Sequence, residues 1–137
     1  MISFEIENTP ITQEELNEFE VEIGLSLPQD YKAHMLKWNG GSPLSYYMYF
    51  GGSDGGINLS YFFPIKYGDS IQVKKSDYLP EKYISIGKTD TGYLAMSLDE
   101  ANYGSIFVHY SEVELEFVAS SFTEFIKGLE DYTDIFE

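Results

Sequence analysis

Apolar residues at helical spacing open the chain. Leu16, Phe19 and Ile23 fall on one face while Glu14, Glu18 and Glu22 take the other, which predicts a helix over 12–23. Thr12 followed three residues later by Glu15 fits a capping box, and Gly24 supplies the left-handed residue that ends the helix. A second helix follows at once. Pro28 suits its first turn, Asp30 favours the positive end of the dipole, and Tyr31, Met35 and Trp38 share a stripe that stops at Asn39-Gly40-Gly41. With Leu25-Ser26-Leu27 between them, the two make a helical hairpin.

The period then changes. Segments 46–50, 57–63, 83–86, 93–98, 105–110 and 113–118 are short runs rich in aromatic and β-branched residues, and they read as strands. Glycine-rich or Asx-containing turns separate them at 51–56, 90–92 and 102–104. Segment 64–82 is less regular and reads equally as a loop or a short helix. A third helix closes the pattern, with Ser121 and Glu124 repeating the capping pair and Phe122, Phe125, Ile126 and Leu129 forming its buried face. Two helices, several strands and a helix predict an α+β fold with a mostly antiparallel sheet, an N-terminal helical hairpin and a C-terminal helix.

Length adds that 137 residues suit one domain, spanning 1–137, and 43 % hydrophobic residues can fill a core. The absence of cysteine excludes disulfides, thiolate metal sites and a Cys nucleophile. Segment 1–7 has neither the positive charge nor the apolar run of a signal peptide, and no stretch reaches the length of a membrane span. A cytoplasmic protein without membrane attachment is therefore expected.

Three stretches together carry a family resemblance. They are Ile23-Gly24-Leu25-Ser26-Leu27-Pro28-Gln29-Asp30-Tyr31 running on to Asn39-Gly40-Gly41; Ile84-Ser85-Ile86-Gly87 with Asp90-Thr91-Gly92 and Gly104-Ser105-Ile106-Phe107-Val108; and Ala119-Ser120-Ser121-Phe122-Thr123-Glu124-Phe125-Ile126. In this order they resemble the SUKH superfamily, in its Smi/Knr branch, over roughly 10–130. The resemblance implies an α+β fold without catalytic machinery, and in bacteria an immunity protein that binds the toxic domain of a polymorphic toxin, often a nuclease. Gly24, Leu27, Pro28, Tyr31, Asn39, Gly40, Gly92, Gly104, Phe122 and Phe125 match as fold determinants, so no active site is carried over. The sequence departs at His34, where relatives tend to be apolar, and over 64–82, which holds no family motif.

Charge sharpens the expected partner. The chain has 23 acidic side chains against 8 basic ones, a net charge of −15, and every basic residue is lysine. Segment 1–31 holds 8 acidic residues and no lysine, 32–88 holds 4 against 7, and 89–137 holds 11 against 1. Such segregation repels nucleic acid and attracts basic proteins, which nucleic-acid-cleaving toxins usually are. Over 111–117 glutamate and apolar residues alternate. On a strand, Val113, Leu115 and Phe117 would face the core and Glu112, Glu114 and Glu116 would line the other face about 6.7 Å apart. With Asp90, Asp99 and Glu100 they form a candidate contact for toxin Lys and Arg, or else a solvated face that discourages edge pairing. Tyr46, Tyr47 and Tyr49 are candidate partner-binding aromatics, or else core and sheet-edge residues.

Chemistry finds little support. His34 and His109 are far apart in the chain and read as structural, there is no Gly-x-Ser-x-Gly elbow, and the 51–56 loop lacks the Lys-Ser/Thr ending of a phosphate loop. No catalytic residue, metal site or cofactor is expected. The expected function is a cognate toxin's immunity protein. A scaffold or regulatory interaction module is the first alternative, and an unrecognised carbohydrate- or nucleotide-active enzyme the second.

Overall fold

A computed structural model describes residues 4–5, 9–44, 46–49, 56–67, 71–74, 79–90, 92–110 and 115–131. The chain enters on β1 (Phe4–Glu5) and passes through α1 (Gln13–Ile23) and α2 (Gln29–Trp38) to β2 (Ser42–Pro43), which pairs antiparallel with β1. β3 (Tyr47–Tyr49), β4 (Ile57–Phe62), β5 (Tyr83–Thr89) and β6 (Tyr93–Ser97) follow, then a 3-10 turn at Glu100–Asn102. The chain continues through β7 (Ile106–His109), β8 (Glu116–Ala119), α3 (Phe122–Lys127) and β9 (Leu129–Asp131). Seven strands form one antiparallel sheet in the order β8-β7-β6-β5-β4-β3-β9. The α+β fold expected from the sequence is the fold observed.

Local chemistry sets the helix ends. The Glu15 N–H donates to Thr12 Oγ1 at 3.1 Å and the Thr12 N–H to Glu15 Oε1 at 3.0 Å, completing the capping box. Gly24 closes α1 in the left-handed conformation (φ 72°), its N–H reaching the carbonyls of Glu20 and Val21. Pro28 stands one residue earlier than a first-turn position, as the N-cap of α2. Asp30 fastens α2 to α3: its Oδ1 accepts from the Tyr31 N–H at 2.8 Å, and its Oδ2 from the Thr123 N–H and hydroxyl at 2.9 and 2.7 Å.

Asn39 ends α2 at φ 44°, and its buried carboxamide joins three segments. It donates to the carbonyls of Thr9 (2.9 Å) and Lys66 (2.7 Å) and accepts from the Ile65 N–H at 2.9 Å. Gly40 next to it has φ 105°, and a Cβ there would stand 2.7 Å from the Phe62 carbonyl. The Asn39-Gly40-Gly41 motif is thus both a helix stop and a junction.

One sheet face carries the core. Ile84, Ile86, Leu94, Met96, Ile106 and Val108 are fully buried there, and the helices add Leu16, Tyr31, Met35, Phe122 and Phe125. The sheet curls enough for Tyr49 on β3 to donate its hydroxyl to the Val118 carbonyl on β8 (3.1 Å), while its ring stacks on Phe125 at 5.0 Å. Burial of these aromatic and aliphatic side chains, about 2 kcal/mol each, is the main stabilising term.

Several expectations need correction. Leu129 belongs to β9 and pairs with Tyr49, because α3 ends at Lys127. Phe117 does not enter the core. It lies across from Phe107, between the inward Ile106 and Val108, and is 54 % exposed. A register shift then leaves Val118 as an extra residue on β8, so that Val118 and Ala119 are buried together. Among the described residues of 64–82 there is no helix, and Lys74 forms an isolated bridge to Ser85.

Candidate protein-interaction surface

The described acidic candidates do not converge on one place. Glu112 and Glu114 lie outside the described residues. Glu116 is half-buried at the start of β8, opposite Val108, on the side of the core rather than on an outward ladder. Asp90 is exposed just after β5, its N–H donating to the Asn58 carbonyl at 3.1 Å. Asp99 caps the 3-10 turn through the Ala101 N–H at 3.0 Å, with exposed Glu100 beside it. The structure brings Asp99 and Glu100 together and leaves Asp90 beyond the other end of β6, about 13 Å of strand away.

The tyrosines also separate. Tyr49 is buried in the core, and burial pushes its phenol pKa up. Tyr46 and Tyr47 are half-buried. Tyr47 borders a cleft of about 980 Å³ between α2 and α3 whose walls include Phe4, His34, Trp38, Phe122 and Ile126, with Lys37 and Lys127 also lining it.

His34 forms the floor of that cleft. Its ring lies 4.9 Å edge-on from Phe4 and 4.9 Å from Trp38, and its Nε2 sits 2.7 Å from the Gly40 carbonyl. A carbonyl only accepts, so Nε2 carries the proton and donates. Burial lowers the pKa to about 4, with the Gly40 bond opposing. The imidazole is neutral at pH 7, and its Nε2 proton is held by a backbone oxygen.

Sequence reasoning missed the outer face of the sheet. Cross-strand pairing places Tyr83, Phe107 and Phe117 there, with the fully buried Ala95 among them, on the face opposite Ile84, Met96 and Ile106. The Phe107 ring stands 5.4 Å from Tyr83 and 5.9 Å from Phe117, the latter edge-on at 83°. Beside them Tyr93 lies 5.7 Å from the His109 ring, with Lys88 Nζ 4.8 Å over its face. The signal was present: in Ile106-Phe107-Val108 three apolar residues follow one another, and a strand must turn the middle one away from its neighbours.

The family model described as SMI1 / KNR4 family (SUKH-1) matches residues 10–128. The chain belongs to this family. No curated protein matches it. The matched SUKH-1 range begins just before the α1 cap and ends at Gly128, so it takes in the helical hairpin and α3 but neither β1 nor β9. SUKH-1 domains interact with proteins and are generally not enzymes. Among the described residues no helix is long and apolar enough to cross a membrane, and no three acidic or histidine side chains are grouped to hold a metal.

Proposed function

We propose that this SUKH-1 chain is an immunity protein: acting in the cytoplasm as one domain, it binds a cognate basic toxin domain and neutralises it. The observation that carries the reading is charge. A family scaffold that meets proteins here bears −15, with 19 of its 23 acidic residues in segments 1–31 and 89–137. Its polar groups of most chemical promise serve the fold instead, His34 binding the Gly40 carbonyl and Asp30 tying two helices. Neutralisation needs no chemistry by the chain itself, only coverage of the toxin's substrate cleft, and it needs no cofactor, metal or nucleic-acid contact.

The test is the association rate with the toxin domain encoded beside this gene, followed by stopped flow from 20 to 300 mM NaCl. Opposite charges steer encounter, so the rate should fall by about tenfold or more over that range. No binding, or a rate indifferent to salt, overturns the reading.

A further inference from the structure

We infer that the partner docks on the outer face of the sheet, on the ridge formed by Tyr83, Phe107 and Phe117, through an apolar side chain surrounded by Lys or Arg. The inference rests on the immunity reading and names the surface that serves it.

Three observations support the ridge. Phe117 is 54 % exposed although it stands on a paired strand, and Phe107 and Tyr83 continue it as a line of rings across the sheet. These rings sit on strands rather than loops, so little side-chain or backbone freedom is lost on binding. An acidic turn is fastened to the same line. Asn102 Nδ2 donates to the Tyr83 hydroxyl at 2.8 Å, the Ser97 hydroxyl bonds the Asn102 side chain, and the Asp99 N–H reaches Ser97 Oγ at 3.1 Å. Asp99 and Glu100 are thereby held at one end of the aromatic line, as a charged rim beside an apolar centre.

Charge selects among occupants. A second copy would bring Asp99 and Glu100 towards a molecule that also carries −15, and an anionic membrane or nucleic acid would be repelled in the same way. A basic protein with an exposed aliphatic or aromatic side chain satisfies both parts of the surface. The cleft between α2 and α3 lacks this match, since Asp30 and Asp131 there are balanced by Lys37 and Lys127.

The decisive experiment is titration calorimetry of the neighbouring-gene toxin domain against the wild-type chain, Phe117→Ser, Glu100→Lys and the cleft double variant Lys37→Glu/Lys127→Glu. Phe117→Ser should weaken binding about 30-fold, as loss of an exposed aromatic anchor does. Glu100→Lys should weaken binding several-fold, and the cleft variant should stay within about twofold of wild type. Glu100 is exposed, so its variant reports on the surface even if Phe117→Ser folds poorly. Wild-type binding that neither substitution weakens overturns this surface and leaves the immunity reading standing. Failure of the wild-type chain to bind overturns both. A wild-type dimer that Phe117→Ser dissolves would assign the ridge to a second copy and overturn the proposal.

Discussion

His34 is a titratable group placed where a charge is costly. Its folded pKa, lowered to about 4, lies below the ordinary value of 6.5, so the unfolded chain binds a proton more readily than the folded one. Stability from this site is therefore complete above pH 6.5 and is lost as pH falls towards 4. At pH 5 the loss is about 2 kcal/mol. His34→Leu removes the titration along with the Gly40 hydrogen bond. Urea unfolding at pH 7 and pH 5 should show the variant gaining about 2 kcal/mol on the wild type between the two, and a constant difference would refute the assignment. Residues of this kind were partly legible in the sequence. His34 read as structural, and Asn39-Gly40-Gly41 marked a stop. The partners of the Asn39 carboxamide were not legible, because Thr9, Ile65 and Lys66 stand 26 to 30 residues away in the chain.

At the scale of elements, α2 and α3 meet where the Thr123 N–H and hydroxyl both donate to the Asp30 carboxylate across 93 residues. Asp30→Ala removes both bonds and Thr123→Val only the hydroxyl one, so the double variant should cost less than the sum of the two. A double-mutant cycle by chemical denaturation should return a coupling of about 1 kcal/mol. A value near zero would mean that the Thr123 hydroxyl bond adds nothing to the junction. The long elements were readable because their capping pairs and stripes are local. β1, β2 and β9 were not, since two or three residues carry no alternation and their pairing is decided by distant neighbours. The phase of β8 failed for a related reason: alternation fixes which residues share a face, and the paired strand decides which face is inward. In β8 the register shift beyond Phe117 also interrupts the alternation itself.

At the scale of the molecule, 23 acidic side chains on 137 residues repel one another most when the chain is compact. Added NaCl screens that repulsion and should favour the folded state. Thermal unfolding in 10 and 300 mM NaCl should show the midpoint rising by about 3 °C or more at the higher salt. A falling midpoint would show that favourable ion pairs, such as Lys66–Glu15 and Lys32–Glu20, outweigh the general repulsion. Net charge and its segregation were fully legible in the sequence. The aromatic ridge was hidden in it, because it is made of residues from three strands that only the pairing sets side by side.

The position of β9 has a consequence for synthesis. Residues Leu129–Asp131 pair with Tyr47–Tyr49, so two strands that are neighbours in the sheet are some 80 residues apart in the chain. As the polypeptide leaves the ribosome, β3 can bond β4 on one side, while its other edge waits for some 80 further residues. Closing so long a loop is slow compared with forming the local hairpin of β5 and β6. The β3 edge is thus the last to be covered, and during elongation it is the place where a nascent chain is most open to pairing with a stranger.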